Sequence, residues 1–175
     1  ITKGDHIAIC AKNTARMAVS FLSVNTYEAV VVPILSDFTP ESVNHLVDHS
    51  ESLILFTDSD IWAKLDIQAM PRLKAVVSVN DFTLLWSAGE EVKAAFASVP
   101  ERFTAKYPMG FSRENVKYNT DNWDDLDIIN YTSGTTSAPK GVMLTYRAIS
   151  ATVDFGQRYI PSSDKFTMAS MLPTA

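Results

Sequence analysis

Short apolar runs alternate along this chain with stretches of helical periodicity. Residues 7–10, 29–35, 53–56, 75–79, 127–131 and 166–172 are compact, largely apolar segments, β-branched most clearly at 29–35, and each predicts a strand. Pro33 lacks an N–H for the ladder, so it predicts a strand end or a bulge within 29–35. Between these runs lie helix signals. Asn13 or Thr14 can cap a helix whose apolar face uses Met17, Phe21 and Val24, with Ala18 and Leu22 beside them. Thr39-Pro40-Glu41 combines a hydroxyl cap, a first-turn proline and an early acid, and the helix it opens buries Val43, Leu46 and Val47. Further helical pieces are predicted over 59–64, 81–86, 89–96 and 145–159. Residues 98–122, with Pro100, Pro108 and Gly110, read as a long irregular connection.

Strands that are nearly all apolar, alternating with helices, predict an α/β fold: a three-layer parallel sheet with helices on both faces. In such sheets ligands bind beyond the carboxyl ends of the strands. The 175 residues suit one domain. The chain carries a net charge of −5, which argues against nonspecific nucleic-acid binding. Cys10 is the sole cysteine and sits in an apolar run, so it reads as a buried structural thiol in a reducing, cytoplasmic setting. No run approaches the roughly 20 apolar residues of a membrane span.

Candidate chemistry concentrates in Tyr131-Thr132-Ser133-Gly134-Thr135-Thr136-Ser137-Ala138-Pro139-Lys140-Gly141. A hydroxyl-rich, glycine-bearing loop between a predicted strand and a predicted helix suits a polyphosphate, with N–H and hydroxyl donors and one cation. It is not the G-x-x-x-x-G-K-[ST] loop: Pro139 stands where the second glycine belongs, and Gly141 follows the lysine. The dinucleotide pattern G-x-G-x-x-G fails as well.

These residues resemble the signature loop of the adenylate-forming (AMP-binding) superfamily, roughly [ST]-[ST]-G-[ST]-[ST]-G-x-P-K-G. Ser137 replaces one glycine. The wider stretches 140–145 and 170–175 are most similar to the long-chain fatty acyl-CoA synthetases. The resemblance implies an acid–thiol ligase. A carboxylic acid, expected to be a fatty acid, attacks ATP to give an acyl-adenylate and pyrophosphate, and coenzyme A then takes the acyl group. It implies Lys140 and Thr135 as catalytic groups and Thr132, Ser133, Gly134, Thr135, Thr136, Ser137 and Lys140 as the nucleotide-binding set. Thr132 would also touch Mg²⁺. Peripheral membrane contact fits such an enzyme. Two other readings stay open: a non-catalytic nucleotide-binding or scaffold module, and an amino-acid adenylation domain.

In the resembling family the matching segments lie well inside a longer chain. The expectation is therefore that residues 1–175 form a single truncated N-terminal α/β subdomain, ending soon after the phosphate-binding loop at 131–141 and inactive by itself. Other features read as structural. His45 and His49 share a helix face but lack a third metal ligand nearby. Asp121, Asp124, Asp125 and Asp127 read as a solvated turn, the three tryptophans as packing groups, and Tyr146 receives no role.

Overall fold

The computed structural model describes residues 1–115, 123–132 and 139–160. Among them are seven strands and six α-helices. The strands are β1 (His6–Cys10), β2 (Val30–Ile34), β3 (Ile54–Thr57), β4 (Ala75–Ser78), β5 (Leu84–Ser87), β6 (Leu126–Thr132) and β7 (Lys140–Thr145). The helices are α1 (Ala15–Thr26), α2 (Pro40–His49), α3 (Ser59–Trp62), α4 (Glu90–Ala97), α5 (Val99–Lys106) and α6 (Tyr146–Tyr159). One sheet holds all seven strands in the order β5-β4-β3-β1-β2-β6-β7.

Local chemistry accounts for the helix starts. The Thr14 hydroxyl accepts from the Met17 N–H at 3.1 Å, Thr39 from Ser42 at 3.3 Å, and Thr145 from Ala148 at 3.3 Å. Each satisfies one of the N–H groups that a helix leaves unpaired at its first turn. Met17 and Val24 of α1 are buried as expected, but Leu22 is exposed.

The centre of the sheet is parallel and both edges are antiparallel, so the predicted all-parallel sheet becomes a mixed one. On one edge, residues 81–86 are not helical. Phe82 adopts a positive φ of 58°, the Asp81 carboxylate accepts from the Thr83 N–H, and the chain turns back as β5 along β4. An apolar run this short carries no period that separates strand from helix. On the other edge, residues 140–145 form β7, a strand that helix periodicity alone did not reveal. The stretch 98–122 is also more ordered than expected, since α5 occupies its first part. The predicted strand at 166–172 lies outside the described residues.

Pro33 is not at a bulge. The β1–β2 register runs through it to Cys10 opposite Ile34. Val30 N–H donates to Asp5 on the β1 side, so by alternation Pro33 faces β6. There only Val31 pairs in register, with Ile128, and a missing N–H costs little.

Helices cover both faces, as the three-layer reading requires. On one face Val43, Leu46 and Val47 of α2 pack with Val30, Val32, Leu55 and Val76. On the other, Met17 and Val24 of α1 pack with Ile7, Ile9 and Val31, and α6 joins through Ile149. Fully burying each such aliphatic side chain contributes about 1.5–3 kcal/mol.

The amino end of β6 carries an unusual buried group. Asp127 is fully buried, not part of a solvated turn, and it falls at the register shift between Leu126 and Ile128. One carboxylate oxygen accepts from Asn25 Nδ2 of α1, and the other has no partner among the described residues. Asn25 also accepts, at its main-chain oxygen, from the Tyr146 hydroxyl at 3.0 Å. Burial pushes the Asp127 carboxyl up to about 6. Folding therefore takes up a proton between the unfolded pKa near 4 and about 6. Stability should fall as pH rises through that window, by up to about 2–3 kcal/mol. Urea unfolding at pH 4.5 and 7.5 should show Asp127→Asn gaining on the parent chain at the higher pH. Parallel pH profiles for the two proteins would refute this assignment.

Candidate functional site

β6 and β7 form an antiparallel hairpin. Their register runs from Leu126 opposite Thr145 to Tyr131 opposite Gly141 and Thr132 opposite Lys140. The two ends of the hydroxyl-rich segment thus face each other as the last pair of the ladder. Ser133, Gly134, Thr135, Thr136 and Ser137 lie outside the described residues. β6 runs parallel to β2, so Thr132 stands at the carboxyl edge of the sheet, where the fold reading placed a ligand. Thr132 and Lys140 are both exposed. Among the described residues Lys140 makes no ion pair.

The hairpin changes the physics expected of this loop. The segment does not join a strand to a helix; α6 begins only after β7 has crossed back to the opposite edge. Five strand residues separate Lys140 from that helix start at Tyr146, a span of about 20 Å. The first-turn N–H groups of α6 are also occupied. Tyr146 N–H donates to Asp125, Arg147 N–H to Trp123, and Ala148 N–H to the Thr145 hydroxyl. The positive end of that helix therefore cannot reach an anion at the hairpin tip.

Tyr131 fixes the root of the hairpin. Its ring is buried on the α2 face, and its hydroxyl lies 2.7 Å from His49 Nδ1 in the last turn of α2. The two rings meet edge to face at 5.8 Å. Desolvation raises the pKa of the tyrosine hydroxyl, which keeps it a neutral donor or acceptor. Opposite Tyr131 stands Gly141. A Cβ there would lie 2.8 Å from Ile129 Cγ2 and 3.4 Å from two ring atoms of Tyr131. The glycine after the lysine is thus needed for close approach. Sequence patterning does not announce this contact: Tyr131 reads as a strand end and His49 as a polar residue on a helix. A glycine in a strand beside an aromatic residue was the available signal.

Other polar groups at the carboxyl edge are committed internally. Buried Asp58 accepts from the Lys12 N–H at 2.8 Å and from Asn80 Nδ2 at 3.0 Å. Lys12 Nζ pairs with Asp60 at 2.7 Å. Cys10 is fully buried, and desolvation pushes its thiol up to about 12, which removes it as a nucleophile at neutral pH. Among the described residues no group of three or more His, Cys, Asp or Glu side chains is placed to hold a metal ion. The acidic cluster separates: Asp124 pairs with Arg147, Asp125 with Lys3, Asp127 is buried, and Asp121 lies outside the described residues.

Two measurements check this geometry. Gly141→Ala should destabilise the chain by about 1–3 kcal/mol in urea, because Ile129 and Tyr131 must move to admit the methyl group. In a double-mutant cycle, Tyr131→Phe and His49→Ala should couple by about 1 kcal/mol. Purely additive losses would show that the hydroxyl–imidazole contact contributes nothing.

Comparison with known proteins agrees with this architecture. A family model described as AMP-binding enzyme matches residues 1–175. The chain is 32% identical over 155 residues to "Probable acyl-activating enzyme 8" of Arabidopsis thaliana, covering 85% of this chain and 27% of that protein. It is 29% identical over 150 residues to long-chain-fatty-acid–CoA ligase 5 of Rattus norvegicus, covering 82% of this chain and 21% of the relative. The chain thus spans about a quarter of the length of the curated relatives it matches. Among solved structures, the anthranilate CoA ligase AuaEII in complex with anthranoyl-AMP superposes with a TM-score of 0.67 at 15% identity, over 88% of this chain and 27% of that one. A long-chain-fatty-acid-CoA ligase from Archaeoglobus fulgidus gives 0.63 at 20% identity, over 89% and 27%. These structural likenesses are of fold. With the signature motif lying between β6 and β7 in sequence and the family match running over residues 1–175, the chain belongs to the AMP-binding enzyme family.

Proposed function

We propose that this protein takes part in the ATP-dependent activation of a carboxylic acid, with a fatty acid as the substrate class. The acid's carboxylate oxygen attacks the α-phosphorus of ATP and displaces pyrophosphate; coenzyme A then displaces AMP to form the thioester. One observation carries the reading. Thr132 and Lys140 bracket the signature loop as an exposed terminal pair at the carboxyl edge, while Lys12 and Asp58, at the ends of other strands, are engaged with each other and with Asp60 and Asn80.

In this reading the loop grips the β- and γ-phosphates. Thr132, Ser133, Thr135 and Thr136 offer hydroxyl donors, Gly134 admits close approach of the backbone, and Lys140 adds a compact positive charge. Lys140 and Thr135 would act during the reaction itself, as negative charge moves onto the departing pyrophosphate. Since α6 points its N-terminus at the other edge, these groups carry the anion recognition without a helix dipole. Mg²⁺ fits the hard oxygen chemistry of the site, where the exposed Thr132 hydroxyl is the one protein ligand this reading names and would help fix the phosphate oxygens. Ser137, in place of the family's glycine, would add roughly 1 kcal/mol of strain if the loop requires a positive φ there.

Fatty-acid use is suggested by relatives whose names carry long-chain ligase activity, such as the rat protein. Among the described residues no helix is long and apolar enough to cross a membrane.

The test is acid-dependent exchange of labelled pyrophosphate into ATP, run on the full-length protein across fatty, aromatic and amino acids. Exchange driven by a fatty acid is the expected result. No exchange with any carboxylate would reject the proposal. Lys140→Ala should slow exchange by about 10²-fold, in the range of a lost charge-stabilising donor. Its melting temperature should stay close to the parent's, because the side chain is exposed and makes no ion pair among the described residues.

A further inference from the structure

One side chain links the root of the signature segment to solvent. Tyr131 is 8% exposed, directly precedes Thr132, and faces Gly141, the neighbour of Lys140, across the ladder. Its hydroxyl meets His49 Nδ1 at 2.7 Å, and among the described residues that ring is the hydroxyl's one partner. His49 itself is exposed, as is His45 one turn earlier on α2, whose ring centroid lies 5.7 Å away. A proton from solvent therefore reaches the imidazole, and its arrival is felt at a buried ring beside the candidate site.

Donor and acceptor counts give the consequence. A neutral imidazole protonated on Nε2 keeps a lone pair on Nδ1, which accepts from the tyrosine O–H. Imidazolium has no lone pair, and both nitrogens donate. Desolvation raises the pKa of Tyr131, so the hydroxyl keeps its own hydrogen in either case. Once His49 is charged, the tyrosine oxygen can accept from it, but the tyrosine hydrogen has lost its acceptor. The titratable side chains that face the imidazole are His45 on its own helix and Tyr131 from β6. Past the helix end, His6 of β1 bonds to the Ser50 carbonyl, and Glu51 pairs with Arg72. Neither His45 nor His49 makes an ion pair among the described residues, so no carboxylate offsets the lost bond.

We propose that His49 is a positioning residue for the phosphate-binding segment: its neutral form holds Tyr131 in place, and its protonation releases the hairpin root and weakens nucleotide binding. Thr132 and Lys140 follow directly from Tyr131 and Gly141, so a loosened root moves the pair that brackets the segment. Histidine is the side chain that ordinarily changes charge between pH 5 and 8, which makes the device one of acid-side weakening. This inference rests on the reading that the segment grips the phosphates of ATP.

Calorimetric titration of the full-length protein with ATP tests it at pH 8.0 and 5.5. Variants are compared at the same pH, so the titration of the nucleotide and of Asp127 cancels. At pH 8.0, His49→Gln, whose neutral amide can still accept from the hydroxyl, should bind ATP within about twofold of the parent. At pH 5.5 the parent should bind about fivefold more weakly than His49→Gln, the effect of one net hydrogen bond. In a Tyr131→Phe background, adding His49→Gln should change affinity at neither pH. His45→Asn lacks the tyrosine contact and should behave as the parent does. A purely structural role for His49 would give the same ratio of parent to His49→Gln at both pH values, and that result overturns the inference. So does a pH-dependent gap that survives in the Tyr131→Phe background. In both cases ATP binding at pH 8.0 leaves the nucleotide reading standing, whereas no ATP binding by the parent at pH 8.0 overturns the two together.

Discussion

Everything the candidate site needs depends on one strand being held at both ends. β6 is tied at its amino end to α1 through Asp127 and Asn25, with Tyr146 of α6 closing on Asn25 from the same side. At its carboxyl end it is tied to α2, on the other face, through Tyr131 and His49. A strand clamped from opposite faces cannot slip by one residue without breaking both contacts. That constraint keeps Thr132 at the lip of the sheet and Lys140 across from it.

The hairpin bears on the anion recognition proposed for this segment. Phosphate loops that run from a strand directly into a helix use the positive end of the helix dipole. Here the chain first returns along β7, and α6 begins at the opposite edge with its N–H groups already occupied. In the proposed reading, affinity for a polyphosphate would come from the segment's own N–H and hydroxyl groups and from the lysine. The glycine after the lysine serves packing against Ile129 and Tyr131.

The two edges of the sheet solve the same problem differently. An antiparallel strand closes each side of a parallel centre, which leaves β5 and β7 as edges. β5 is partly covered by α4, and α5 beyond it leaves Phe103 exposed. β7 leaves Val142 and Met143 exposed. Apolar surface at both flanks of an otherwise well-packed sheet shows that burial is concentrated at β1–β4 and β6.

The sequence by itself determined the parallel centre, the helix starts at Thr14, Thr39 and Thr145, the buried thiol and the signature segment. Each of these is written in local signals: continuous apolar runs, a hydroxyl before a helical period, a fixed motif spacing. The antiparallel edges were decided by the tertiary structure, because 84–87 and 140–145 are too short for a period to distinguish strand from helix. The fate of Asp127 was also tertiary; it sits among neighbouring acids that stay in solvent, and only the register shift in β6 turns it toward Asn25. Likewise, no local rule joins His49 to Tyr131 across 82 residues. Their contact exists because α2 crosses the face of the sheet where β6 ends.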